Sequence, residues 1–469
     1  MKDKKKILPR IIFTCAILST LYCFCSNLIK NEQSSIFGFW AIPAFYTVLL
    51  FLSIFLCKDN TKFFAKTVLI VTFVKYVLTI LLYYIEGAPK IDYELKVIAL
   101  QGIEMMSIFL LVIVLMGKNR KKKNAIKKIE LEKVDEKKQD KFLGVSAVIG
   151  ILYFITILIR HPEQLVKIFI VKFGTESTIT GFDTIVFKAT LVIFLVFLLR
   201  LIRDKMKINE TKKIIISLLI VIFFIVNSAA SLEGNISRWN VLYGIIGFSS
   251  VLWGYYQEKR KTIIKIAIIA LVILLPVMTF LKFGDSESQQ NISVSSVSED
   301  SSEKISFKSF DSYFSGPYQT AMGIKTKEVF GKRISFKTLL NDTFANFPLL
   351  NHYFEEKNTL TTYYNVTMYG DWDRRDHIIP ISCCGYIYFG TLFSSVFTVI
   401  FIYLAYIADR RCQNVEDEIG KYMYIRTIFC LATCIILNYQ IVFQFIWQTF
   451  LPLFLIRKVN LKISSRGGR

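Results

Sequence analysis

Eight consecutive residues, Gly370-Asp371-Trp372-Asp373-Arg374-Arg375-Asp376-His377, hold three carboxylates, two guanidiniums and an imidazole. A guanidinium offers two parallel donors and keeps its charge, which suits a phosphate or diphosphate. A carboxylate or an imidazole can take the proton from a hydroxyl nucleophile. His377 has the unperturbed pKa nearest neutrality and is the leading base, with Asp376 and Asp371 competing for the role. The bland alternative is a solvated loop whose charges pair with one another at little energetic gain. So dense a cluster, in a loop beside an apolar span, favours function.

Three other places carry polar chemistry. Ser231 to Asn240 forms a short turn between apolar runs, with Gly234 breaking the helix and Arg238 opening the next one. Arg238 could meet an anionic headgroup there, or only snorkel to the membrane edge. Asp311-Ser312-Tyr313-Phe314-Ser315-Gly316-Pro317-Tyr318 sets Tyr313 and Tyr318 around a turn, where aromatic faces can stack on sugar rings or anchor the chain at the interface. Arg333 adds a cation beyond it. Finally Lys75, Glu104 and Lys188 stand inside apolar runs, where charge is costly and is either paired or functional. Lys75 and Glu104 differ in depth by about 5 Å at 1.5 Å of rise per residue, so a pair between adjacent helices is feasible.

These residues are positioned by a membrane protein. Of the 469 residues 53% are hydrophobic and 15% aromatic, more apolar surface than a soluble fold buries. Runs of about 20 apolar residues predict helices, since backbone groups in hydrocarbon must be satisfied within each span. The fold expected is all-α and polytopic, with about 12 transmembrane helices and one large outer loop between spans 9 and 10. Residues 1–282 hold nine spans, 283–383 the loop, and 384–469 the last three spans and a basic tail. Segment 117–141 carries eleven Lys or Arg against five acids. With twelve crossings this segment, the other short basic loops and both termini share the cytoplasmic side, and loop 283–383 lies outside.

The net charge of +22 is thus accounted for by juxtamembrane loops, which speaks against nucleic acid and for contact with anionic membrane lipids. The loop divides into a serine-rich acidic part up to Glu303 and an aromatic part from Phe307 to Pro380, expected as short helices. Surface helices are also expected near 125–134 and 165–173. No P-loop, nucleotide-sugar domain, His-Glu-x-x-His or Gly-x-Ser-x-Gly occurs. His161 and His352 stand alone, and the nine cysteines follow no metal spacing, with adjacent Cys383 and Cys384 expected as free thiols. A reaction would draw on an activated lipid-linked substrate or an ion gradient.

The layout resembles the Wzy-type O-antigen and capsular polysaccharide repeat-unit polymerases. The resemblance rests on many spans with one late outer loop, the turn Ser231 to Arg238, Tyr313-Phe314-Ser315-Gly316-Pro317, and His377-Ile378-Ile379-Pro380 followed by Gly385-Tyr386-Ile387-Tyr388-Phe389-Gly390. It covers about residue 140 to the C-terminus. It implies inverting glycosyl transfer on undecaprenyl-diphosphate-linked oligosaccharide at the outer face of the bacterial cytoplasmic membrane, without metal or nucleotide. Arg238 and Arg374, then Arg375 and Arg333, would stabilise the departing diphosphate, and His377 or an adjacent Asp would be the base. A chain-length regulator and a flippase are the implied protein partners. The turn has Asn235-Ile236-Ser237 before Arg238, a departure from a compact Gly-Ser-Arg. The alternatives are a lipid-linked oligosaccharide flippase or other transporter, and a polysaccharide ligase.

Overall fold

The computed structural model describes residues 7–30, 38–56, 63–87, 91–117, most of 145–160, 182–233, 238–284, 307–345, 347, 353–355, 357–373 and 377–466. Every regular element among them is a helix. The first group is α1 (Ile7–Lys30), α2 (Ala41–Leu56), α3 (Phe63–Phe73), α4 (Thr79–Glu86) and α5 (Glu94–Gly117). Next come α6 (Phe182–Lys205), α7 (Glu210–Glu233), α8 (Arg238–Tyr255) and α9 (Arg260–Gly284), then the short α10 (Phe307–Phe314), α11 (Pro317–Phe330), α12 (Phe336–Phe344) and α13 (Leu360–Tyr369). The chain ends in α14 (Ile381–Phe389), α15 (Val396–Cys412), α16 (Glu418–Ala432), α17 (Tyr439–Phe445) and α18 (Leu451–Arg466). Among the described residues five stretches are long and apolar enough to cross a membrane: Ile7–Ile29, Phe63–Glu86, Glu94–Met116, Phe182–Lys205 and Tyr439–Lys462. A helical membrane protein accounts for them, because a helix alone closes its own backbone hydrogen bonds in hydrocarbon.

The chain forms two compact units. One gathers Met1–Lys127, Ser301–Arg410 and Ile428–Gln444, the other Lys128–Asp300, Arg411–Thr427 and Phe445–Arg469. In the second unit Arg200 grips Glu418 through both nitrogens of its fork at 2.8–3.1 Å, and Arg457 pairs with Asp417 at 2.7 Å. Lys188, expected inside an apolar run as either paired or functional, donates to Gln448 Oε1 at 3.0 Å.

The first unit holds the polar chemistry, and a buried ion pair organises its interior. Between α3 and α4 the chain makes a π-helical turn, Val74–Leu78, the kind of bulge that re-aims one side chain out of helical register. Lys75 lies on it. Its ammonium donates to Glu104 Oε2 on α5 at 2.7 Å and to the Ile435 carbonyl at 2.8 Å. Glu104 also accepts from Tyr76 at 2.7 Å and Thr398 at 3.1 Å, and both charged side chains are fully buried. The expected pair therefore forms, and it fastens the 3-10 turn Cys434–Ile436 to the membrane helices.

The aromatic stretch 307–380 does fold as short helices, each with an identifiable local cause. The Asp311 carboxylate accepts from the Tyr318 and Gln319 amides, both at 3.0 Å, and so caps α11, which has Pro317 at its first position. Gly316 admits this approach, since a Cβ there would meet the carboxylate and lie 2.7 Å from Thr79. A Ser335–Thr338 capping box starts α12, and Thr359 caps α13.

One expected span is broken. The run 384–408 reads as one helix, but α14 ends at Gly390, whose φ is +83°, and the chain turns before α15 begins at Val396. Gly385 lets the Ser394 backbone lie against α14, where any side chain would collide. Hydropathy does not see such a return, because both halves are apolar. Cys383 and Cys384 are free and buried. The expected surface helices at 125–134 and 165–173, His161, His352 and the serine-rich segment 285–303 lie outside the described residues.

Removing one partner of a buried ion pair leaves an uncompensated charge, at a cost of about 3–5 kcal/mol, whereas replacing both is close to neutral. Lys75→Met alone is expected to lower the thermal midpoint of the detergent-solubilised protein sharply, and Lys75→Met with Glu104→Leu to recover most of the loss. A double variant no better than the single one would mean that the pair does more than hold the fold.

Candidate functional site

Asp342 is the meeting point of four donors. It projects from α12 into the first unit, almost wholly buried. Its Oδ1 accepts from the Leu360 amide at 2.9 Å, closing the N-terminus of α13, and from the Gln440 side chain. Its Oδ2 accepts from Tyr388 on α14 at 2.6 Å and from Tyr439 on α17. Four donors fill the accepting capacity of one carboxylate. Burial pushes its pKa up to about 6, against the downward pull of those donors.

The same polar layer continues through α13 and the segment before α17. The Thr361 hydroxyl donates to Gln440 Oε1, Asn438 Nδ2 donates to Thr361 at 3.2 Å, and Asn438 Oδ1 accepts from the Ile441 amide at 2.8 Å. Asn438 follows the 3-10 turn that Lys75 fastens and that Ser315 also reaches, its hydroxyl 3.3 Å from the Ile436 carbonyl. The intramembrane ion pair thus fixes one wall of the site.

His377 enters from the segment before α14. Its backbone is held by a single side chain: the amide donates to Asn365 Oδ1 and its carbonyl accepts from Asn365 Nδ2, both at 2.9 Å. Asn365 is fully buried on α13. The imidazole Nδ1 lies 3.1 Å from the Ser312 hydroxyl, and the ring leans on Tyr369 with centroids 5.4 Å apart. With Nδ1 protonated and donating to Ser312, the basic lone pair is on Nε2.

His377 and Asp342 border one cavity of ≈ 310 Å³, together with Asn341, Thr361, Asn438 and Gln444. The volume falls at the lower end of the roughly 300–1,000 Å³ of small-molecule pockets. Its described wall is rich in amides and hydroxyls, with the Asp342 carboxylate and the His377 imidazole among them. Such groups offer many hydrogen bonds.

The other residues singled out by the sequence fall elsewhere. Asp371 is exposed and accepts from the Asp373 amide at 2.9 Å, while Asp373 pairs with exposed Lys357 at 3.2 Å. These are the solvated contacts of a surface turn, and they lie outside the cavity. Trp372 packs edge-on against Phe330 and Tyr363, and exposed Arg333 sits 5.9 Å from the Phe330 ring centroid. Tyr318 is 40% exposed and Tyr313 half-buried, and neither lines the cavity. Arg374, Arg375 and Asp376 lie outside the described residues, and Arg238 begins α8 with its side chain outside them. Among the described residues no group of three or more His, Cys, Asp or Glu could hold a metal ion.

Sequence reasoning missed Asp342, Asn341, Asn365, Ser312 and Gln440. Asp342 carried one signal, an acid within the apolar-aromatic run Leu339-Leu340-Asn341-Asp342-Thr343-Phe344. The others carried none, because their significance lies in partners that are distant in sequence.

The pKa of Asp342 lies above the usual carboxylate value of about 3.9, so the folded chain takes up a proton between about pH 4 and pH 6 and loses stability as pH rises through that window. Asp342→Asn is expected to flatten this part of the pH dependence of the thermal midpoint. Asp342→Ala strands buried donors at about 1–3 kcal/mol each and should destabilise the fold at every pH. A flat wild-type profile between pH 4 and 6 would contradict this account. No family model, curated protein or solved structure matches the chain.

Proposed function

We propose that this chain polymerises undecaprenyl-diphosphate-linked oligosaccharide repeat units at the outer face of the bacterial cytoplasmic membrane, by inverting glycosyl transfer without metal or nucleotide. The observation that carries the reading is the cavity of amides and hydroxyls with a clamped imidazole on its wall. Amides and hydroxyls are the groups that recognise sugar hydroxyls, and an imidazole is the group that removes a proton near neutrality. The outer-face assignment is supported by the basic short loops of the sequence, which are expected on the cytoplasmic side and leave loop 283–383, the source of Asp342 and His377, outside.

In this reading His377 takes the proton of an acceptor hydroxyl on the incoming unit. The hydroxyl oxygen forms the new bond to the anomeric carbon of the growing chain's reducing-end sugar from the face opposite the leaving group. The anomeric carbon to diphosphate oxygen bond breaks, and its electron pair leaves on the diphosphate. Arg374 and Arg375 stand three and two residues before His377, within about 11 Å along the chain, and are assigned to that developing charge. Asp342 touches no reacting atom in this scheme and acts as a positioning residue, since its lone pairs are already taken.

A flippase would instead be expected to use Lys75 and Glu104. Glu104 already accepts from Lys75, Tyr76 and Thr398, and Lys75 also donates to a carbonyl, with no solvent exposure at either side chain. That saturation favours a structural role for the pair.

Deletion of the gene should leave single repeat units on the cell surface and remove long polymer. His377→Ala should do the same while the protein accumulates normally. Asn365→Leu, which frees the His377 backbone, should shorten chains at least about tenfold in yield. Units trapped inside the cell after deletion would establish a transporter, and normal chain length in His377→Ala would remove this residue from the chemistry.

A further inference from the structure

Two lysines from separate segments of the first unit close on one aromatic ring. Lys96 stands in the first turn of α5, and its ammonium lies 5.1 Å from the Tyr386 ring centroid. Lys327, in the last turn of α11, lies 4.1 Å from the same centroid and donates to the Tyr386 carbonyl at 2.7 Å. Tyr386 is buried, whereas both lysines are half-exposed. A cation over a ring gains from the ring quadrupole, but a second cation at the same ring is repelled by the first. Burial and the Lys96 ammonium together hold Lys327 below the usual lysine value.

The carboxylate at hand is shared. Glu328 approaches Lys96 at 3.9 Å, the outer limit of an ion pair, and its Oε2 accepts from Tyr93 at 2.5 Å. Glu94, two residues before Lys96, lies near Tyr83 and Tyr84. An ammonium has three donors, and Lys327 uses one on the Tyr386 carbonyl. Both stems are long and flexible, so the two charges can turn onto one anion. Position in the bilayer says which anion. α5 opens the stretch Glu94–Met116, long and apolar enough to cross a membrane, so Lys96 stands where that stretch meets water. Lys327 belongs to loop 283–383, expected outside. Lipid phosphates lie at that boundary, and each lysine near an anionic surface adds to the attraction.

We propose that Lys96 and Lys327 form a site for the phosphate of an anionic membrane lipid at the outer boundary of the bilayer. The phosphate oxygens accept from both ammoniums, and their negative charge offsets the repulsion between them. The lipid then fastens α11 to α5, two helices also joined by the buried Gln101–Thr320 hydrogen bond at 3.1 Å. The site stands apart from the polymerase reading and would serve a transporter equally well.

Acetylation of lysines by an amine-reactive ester, mapped by peptide mass spectrometry, tests this on the full chain in nanodiscs. Phosphatidylcholine discs are compared with discs containing phosphatidylglycerol or undecaprenyl phosphate, and with phosphatidylcholine discs in inorganic phosphate. An anionic lipid should lower the labelling of Lys327 about fivefold or more, the factor that one lysine gains near an anionic surface. Labelling of exposed Lys337 and Lys357 in the same loop should stay level, and fully buried Lys75 should stay unlabelled in any variant that folds. Lys96→Ala should remove the protection of Lys327, and Lys96→Arg, which keeps the charge, should retain it. Protection by phosphatidylglycerol identifies a bulk phospholipid and protection by undecaprenyl phosphate alone a lipid carrier, and either supports the site. Equal protection by inorganic phosphate, no protection by either lipid, or full protection in Lys96→Ala would overturn it.

Discussion

The site depends on the four hydrogen bonds that converge on Asp342. They come from the start of α13, from α14 and from the Tyr439-Gln440 pair, segments that a single carboxylate joins by accepting from all of them. Burying the carboxylate is unfavourable by itself, as its raised pKa records. The donors offset that cost and in doing so specify one arrangement, since a buried polar group tolerates few alternative packings. The cavity exists because those elements cannot drift together or apart without stranding one of the donors.

A chain of fastening runs from the membrane helices to this point. Lys75, re-aimed by a π turn, ties α5 and the 3-10 turn Cys434–Ile436 together, and that turn leads into Asn438 and Gln440. A buried ion pair is weak evidence for stability, because desolvation consumes most of the Coulombic gain. Its value here is geometric. Each polar partner of the pair is directional, so the turn beyond it is held in register.

The contrast within the acidic and basic cluster is instructive. His377 is gripped at its backbone by Asn365 and at its ring by Ser312 and Tyr369, whereas Asp371 and Asp373, only a few residues away, make exposed contacts of little energetic weight. Catalytic groups need such fixed supports to be held in a productive geometry. Proximity in sequence did not distinguish them, but packing did.

From its sequence alone the chain is determined to be helical and membrane-embedded, because apolar runs of span length leave no other way to satisfy the backbone. The short helices within 307–380 and the Lys75–Glu104 pairing were also legible, each following from local aromatic patterning or the high cost of a lone charge in an apolar run. The tertiary structure alone decided that α14 stops at Gly390 and that Asp342 gathers Tyr388, Tyr439 and Gln440. It also decided that Asn365 holds His377. These facts join residues up to about a hundred positions apart, and hydrogen bonds at that separation leave no periodic trace in a sequence.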